Sequence, residues 1–254
     1  VTFYLGVPEG SWRLGVPTFV SARRLRRRAT PWPWHGEPYA IDSGGFTELS
    51  QHGKWMTSPQ QYADELFRWA DWRGQPDWAA PQDWMCEPEM LERTGLTIEQ
   101  HQHASVCSVL QLREALQGQV NVIPVLQGWD VDDYVHCVEL YSAYGLDLQA
   151  EPIVGVGTVC RRQDTSIGNL IMRTLAGGGL RLHGFGYKTE GLLAVAEHLV
   201  SADSMAWSYQ ARLEPHPLPG CSHRCCNSCP RYALRWREQL LQRLCWREAQ
   251  QTLW

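Results

Sequence analysis

A parallel (β/α)8 barrel is the fold this chain predicts, and three observations point to it. Short apolar runs alternate with stretches whose apolar residues recur at helical spacing, the pattern of successive βα units. Polar or glycine-rich residues follow these runs at Asp42, Asp83, Gln127, residues 155–157, residues 184–186 and Asp203. In a barrel such strand ends share one face, where active sites lie. No G-x-G-x-x-G follows the first strand, which counts against the alternative, an open doubly wound sheet.

The elements follow in order. Strands are read in TFYLGVP (2–8), PYAID (38–42), DWAAPQD (77–83), NVIPVLQG (121–128), PIVGVGTV (152–159), RLHGFG (181–186) and ADSMAWS (202–208). That makes seven; the eighth is expected between Phe46 and Asp77. Helical periodicity marks residues 58–72, 97–116, 130–145, 164–178 and 190–200. Ser58 before Pro59 suits a helix start, and Thr97 with Gln100 suits a capping box. RLEPHPLPG (212–220) is the one Pro-rich linker. It divides a barrel of residues 1–211 from a segment of residues 212–254 that ends in a helix.

Composition narrows the class further. The chain has 254 residues, enough for one barrel with a small appendage. It lacks an apolar run of membrane-spanning length, and its first residues do not read as a secretory signal. The expectation is a cytoplasmic protein with no membrane partner. A net charge of −4 gives no bulk attraction to polyanions, but one local run does. Arg23, Arg24, Arg26, Arg27 and Arg28 stand just before Trp32 and Trp34. Guanidinium groups fork onto phosphates and indoles stack on unpaired bases, so the run is a candidate nucleic-acid surface. A solvated helix face is the other reading.

The nine cysteines are an odd number, and four crowd into CSHRCCNSC (221–229). Dispersed thiols with one tight cluster suit reduced cysteines and a metal site rather than a disulfide framework. Cys221, His223, Cys226 and Cys229 supply four ligands for tetrahedral Zn²⁺, with Cys225 an alternative to Cys226 and Cys245 to His223. Four protein ligands leave no open position, so the zinc is expected to be structural.

DSGGF (42–46), GVG (155–157), ADS (202–204) and the cysteine cluster together resemble the tRNA-guanine transglycosylase superfamily. DSGGFTELSQHG, GVGTVCRR, HGFGYKT and SADSMAWS are most similar to its DNA-acting, DpdA-like branch. The likeness spans about residues 3–240 and implies a barrel with a zinc-binding subdomain. It also implies exchange of guanine in DNA for a 7-deazaguanine, such as 7-cyano-7-deazaguanine, in bacterial or phage modification systems with their accessory proteins.

By the resemblance, Asp203 matches the nucleophile, with Ala202 where the family has an aromatic, and Asp42 matches the general acid/base. Ser43, Gly44, Gly45 and Phe46 complete the motif around it. Asp83 matches the purine-reading aspartate and Gln127 the glutamine beside the base, while Gly155, Val156 and Gly157 match the segment bordering the base. The tRNA enzymes' C-x-C-x-x-C plus downstream histidine is absent, since no histidine follows His223. Three alternatives stay open: a tRNA-acting transglycosylase, a barrel glycosidase using Asp42 and Asp203, and a non-catalytic zinc-stabilised nucleic-acid binder.

Overall fold

The computed structural model describes residues 1–31, 36–160, 162 and 165–251, with side chains up to residue 247. Eight parallel strands form one sheet: β1 (Thr2–Val7), β2 (Thr18–Ser21), β3 (Tyr39–Asp42), β4 (Trp78–Ala79), β5 (Val125–Leu126), β6 (Val154–Val156), β7 (Leu182–Gly184) and β8 (Leu199–Ser204). Their order is β4-β3-β2-β1-β8-β7-β6-β5. A parallel bridge between Ala79 and Val122 joins the two ends of that row. Two backbone hydrogen bonds reinforce it, Ala79 N–H to the Asn121 carbonyl at 2.8 Å and Ile123 N–H to the Ala79 carbonyl at 3.2 Å. The sheet therefore curls into a barrel, as the alternation of strands and helices predicts.

The eighth strand lies elsewhere than the sequence suggested. It is β2, at Thr18–Ser21, whereas residues 46–77 hold two helices. Only four residues long, β2 follows Pro17 directly and runs into the arginine-rich segment, which masks its two central apolar residues. Its register with β3 places Ser21 beside Asp42.

Ten helices are described: α1 (Ala22–Leu25), α2 (Gly45–His52), α3 (Pro59–Arg73), α4 (Pro88–Thr94), α5 (Ile98–Leu116), α6 (Val131–Ala143), α7 (Ser166–Gly177), α8 (Thr189–Val195), α9 (Ala206–Leu213) and α10 (Pro230–Gln251). The expected caps are formed. Ser58 Oγ accepts the Gln61 N–H at 3.2 Å and Gln61 Oε1 accepts the Ser58 N–H at 2.9 Å. Thr97 and Gln100 make the same reciprocal pair. Each box satisfies donors that a helix start leaves open. Among the described residues, no helix is long and apolar enough to cross a membrane.

Alternation along the strands splits the core in two. Tyr4, Phe19, Ala40, Trp78, Ala80, Ile123 and Val125 pack together inside the barrel. The opposite faces pack outward on the helices, with Val20, Tyr39 and Ile41 meeting Tyr62, Leu66 and Trp69 of α3. Phe3 of β1 meets Trp236 of α10 with ring centroids 6.0 Å apart, so the last helix is seated on the barrel wall. A filled interior leaves only the rim for chemistry.

Candidate active site

Three aspartates from different strands line one cavity of about 320 Å³ at the C-terminal rim, near the lower end of the range for small-molecule sites. Asp42 ends β3, Asp83 follows β4 and Asp203 lies in β8. A groove of about 630 Å³ between α6 and α7 is roomier. Its lining holds a single carboxyl group, Asp147, among Ser142, Gln149, Thr174 and apolar side chains, whereas the rim cavity gathers several, so chemistry favours the rim.

Asp42 sits where β3 turns into α2. Gly44 adopts φ +84°, and a Cβ there would meet Arg23 Cγ at 2.8 Å, so only glycine fits this close turn. The Gly44 N–H donates to Asp42 Oδ1 at 3.1 Å. Burial nevertheless raises the Asp42 carboxyl above the usual carboxylate range, and the charge of Asp203 adds to this. Hydrogen bonds from Gly44 and Ser21 and the charge of Arg23 oppose the rise. Gly45 and Phe46 line the same cavity.

Asp83 is held at both oxygens. Ser43 Oγ donates to Oδ1 at 3.2 Å and Gln127 Nε2 donates to Oδ2 at 2.6 Å. Thr158 fixes the amide by donating its hydroxyl proton to Gln127 Oε1 at 2.7 Å. Burial, then the neighbouring charge of Asp42, pushes the Asp83 carboxyl up to about 7 against the pull of these donors. Asp42 and Asp83 are surrounded by protein yet keep a face toward the cavity. Of residues 155–157, Gly157 lines the cavity. Val156 turns into the outer apolar layer, and Phe185 fills the space beside Gly155, where a Cβ would meet its ring at 2.5 Å.

Asp203 is 6% exposed and stands on the β7–β8 side. Its Oδ1 accepts the Gly186 N–H at 2.9 Å and lies 3.3 Å from His183 Nε2.

The basic run divides. Arg24 is exposed and lines the cavity, and Arg23 lies beside Gly44. Arg27 is exposed, while Arg28 donates through Nε to the Thr30 carbonyl at 2.9 Å. Arg26 turns the other way. Its Nε contacts both Glu65 oxygens at 2.9 and 2.8 Å, and its Nη1 lies 3.8 Å from Glu48. Trp32 and Trp34 lie outside the described residues.

The ligand atoms of Cys221, His223, Cys226 and Cys229 all lie within 4.8 Å of one another. Cys221 and Cys229 sulfurs are 3.9 Å apart, and His223 Nε2 is 3.2 Å from Cys226 Sγ. Such spacings suit four ligands around one tetrahedral ion with bonds of about 2.0–2.3 Å. Cys225 points its Sγ to the Ala211 carbonyl at 3.3 Å, and Cys245 is exposed far along α10. Of the alternatives the sequence left open, the chain therefore gathers Cys226 and His223. Burial disfavours the Cys229 thiolate, but N–H groups of Tyr232 and Arg231 at the start of α10 and the Cys221 thiol outweigh it, so the thiol falls below its ordinary value.

Sequence reasoning missed Thr158 and His183. Thr158 has φ +56°, an outlier for a β-branched residue that costs about 1–3 kcal/mol and often marks a functional site. Nothing in a sequence announces that angle. The histidine inside an apolar strand, one residue before the strand-end glycine, was the available signal for His183.

A parallel barrel whose rim cavity is lined by four carboxyl groups, those of Asp42, Asp83, Glu87 and Asp203, with an amide pinned against one of them, has the equipment of a base- or sugar-processing enzyme. The model of the DpdA family (DeoxyPurine in DNA protein A) matches the chain over residues 1–254, and the chain belongs to that family. Membership makes it a transglycosylase-type enzyme of DNA modification. No curated protein matches the chain.

Proposed function

We propose that the chain exchanges guanine in DNA for a 7-deazaguanine base, such as 7-cyano-7-deazaguanine, through a covalent aspartyl–glycosyl intermediate. The observation that supports this is the convergence of three aspartates from different parts of the sheet, Asp42, Asp83 and Asp203, in unequal surroundings on one cavity. Unequal environments are what one attacking, one proton-moving and one base-reading acid require.

In this reading an Asp203 oxygen attacks C1′ of the target nucleotide. The glycosidic C–N bond breaks, its electron pair stays on the departing guanine, and Asp42 supplies that nitrogen with a proton. Burial raises the Asp42 carboxyl and so favours its proton-carrying form. The incoming base returns a proton to Asp42 from its glycosyl nitrogen, attacks C1′ and displaces Asp203. One glycosidic bond replaces another, so no external energy source enters.

Asp83, when ionised, accepts the N1–H and exocyclic amine of a guanine-like ring, with Ser43 and Gln127 orienting it. Gly45 and Phe46 wall one side of the base and Gly157 the other; Gly44 makes the turn that brings the first pair there, and Gly155 and Val156 carry the strand up to Gly157. A base inside a duplex cannot reach both Asp203 and Asp83, so the nucleotide is flipped or unpaired. Arg23, Arg24, Arg27 and Arg28, with Trp32 and Trp34, hold the flanking strand. Arg26 braces that segment against α3.

Residues 212–254 act as an appendage to the barrel of residues 1–211. Cys221, His223, Cys226 and Cys229 hold one structural Zn²⁺ that pins α10. Chelation then lowers the melting temperature rather than merely the rate; metal analysis that finds folded, active, zinc-free protein overturns this. The main test is mass spectrometry of nucleosides from DNA incubated with enzyme and labelled base. Incorporated label supports exchange, release without incorporation indicates a hydrolase, and no change indicates a binder.

A further inference from the structure

We infer that His183 is a positioning residue that aims the Asp203 carboxylate, with Ser201 setting its tautomer. The inference rests on the reading of Asp203 as nucleophile. His183 is fully buried inside the barrel, its ring centroid 4.6 Å from Trp78 and 4.7 Å from Phe185, with Tyr4 and Phe19 farther out. Those rings exclude water, so the imidazole nitrogens must find partners in the protein.

Both nitrogens face β8. His183 Nδ1 is 2.9 Å from Ser201 Oγ, and Nε2 is 3.3 Å from Asp203 Oδ1, short of good hydrogen-bond alignment. The strand pairing makes this possible. Leu182 pairs with Leu199 but His183 pairs with Ser201, a register irregularity that skips Val200. Such irregularities re-aim side chains beside active sites.

The tautomer follows from the surroundings. With the proton on Nδ1, a bare Nε2 lone pair would face the carboxylate. With Ser201 donating to Nδ1, Nε2 carries the proton and points it at Oδ1. The Gly186 N–H donates to the same oxygen at 2.9 Å. The Gly186 hydrogen bond and the Nε2 proton 3.3 Å away both engage Oδ1, which leaves Oδ2 as the atom that meets C1′. The arrangement inverts the hydrolase triad, in which the carboxylate orients the histidine; here the histidine orients the carboxylate.

The test measures single-turnover covalent adduct formation, DNA affinity and melting temperature for His183→Leu, His183→Gln, Ser201→Ala and Asp203→Asn. His183→Leu should lower the adduct rate about 10²-fold, the scale of a misplaced reacting group, while DNA affinity changes less than about twofold. Gln, whose amide N–H can reach Oδ1, should recover at least about tenfold of that loss. Ser201→Ala should lose about tenfold, as when a supporting hydrogen bond is removed. A wild-type rate in His183→Leu overturns the inference, as does a Gln variant no better than Leu. If His183→Leu fails to fold, the other two decide: wild-type rates in both overturn it, and a slowed Ser201→Ala beside an active Gln variant upholds it. An adduct from Asp203→Asn overturns the nucleophile reading instead, whatever His183 does.

Discussion

The two sides of the rim cavity treat their carboxyl groups differently. On the β3–β4 side, burial raises the carboxyl groups of Asp42 and Asp83, with the charge of Asp203 across the cavity adding to the first and that of Asp42 to the second. On the β7–β8 side, Asp203 has the Gly186 N–H and His183 at one oxygen. Burial and a like charge nearby both favour proton uptake by the first two groups. In the proposed reading this difference is a division of labour: one side exchanges protons and reads the base, and the other positions the carboxylate that attacks.

The severest way to break that division is Asp203→Asn. It keeps size and shape while removing the anionic nucleophile, and loss of a nucleophile costs on the order of 10⁶ in turnover. No adduct on a denaturing gel and no incorporated label are expected, with DNA still bound. A normal adduct would move the nucleophile to the opposite side of the cavity.

Asp42→Asn should do less, since proton transfer contributes about 10²–10⁴-fold. Slow adduct formation is expected, with exchange stalled because the incoming base has no acceptor for its proton. If label incorporation ran at the wild-type rate, Asp42 would be a turn former rather than an acid.

How much of this arrangement was legible in the sequence depends on how local its causes are. Asp42, Asp83 and Asp203 stand out because each ends an apolar run, and strand ends in a barrel converge. The cysteine cluster is legible because its ligands lie within nine residues, although adjacent Cys225 and Cys226 point in different directions, which only the backbone decides. Arg26 looks like its neighbours in the run, yet its partner Glu65 lies 39 residues away. β2 was hidden by its shortness, and Thr158 by a backbone angle that sequence does not encode visibly. His183 depends on a register irregularity between two strands, a property of their pairing rather than of either alone.

Asp83 gives the division a pH signature. With its carboxyl near 7, base binding requires deprotonation, so affinity for guanine should fall as pH drops through about 7, approaching tenfold per unit. Asp42→Asn removes a negative neighbour and should shift that midpoint to lower pH. Stability moves the opposite way. The folded value lies above the ordinary 3.8, so the unfolded chain releases this proton first as pH rises. The stability linked to Asp83 is full below about 4 and lost as pH passes about 7, by at most about 4 kcal/mol. Thermal melts of wild type and Asp83→Asn at pH 5 and 8 check this: the variant should lose less stability on going to pH 8. Equal pH dependence in both proteins would mean that Asp83 is not the group that titrates.

The smallest expected effect concerns the positive charge that the structure places on the Asp42 side of the rim. Arg24 and Arg27 are exposed, whereas Arg26 is forked onto Glu65. If the exposed pair contacts phosphates, replacing both with alanine should weaken DNA binding a few-fold at moderate salt. It should also flatten the salt dependence by about 0.7–0.9 in log–log slope for each phosphate no longer neutralised. The melting temperature should hold, because both side chains face solvent rather than the packed interior. Arg26→Ala should do the reverse. It leaves partly buried Glu65 without its forked partner and loosens the packing of α1 on α3, so the melting temperature falls while the salt slope stays near wild type. Affinity measured at several salt concentrations, beside a melt of each variant, separates the two behaviours. A salt slope lost in Arg26→Ala but kept in the double variant would mean that the inward-turned arginine, and not the exposed pair, meets the strand.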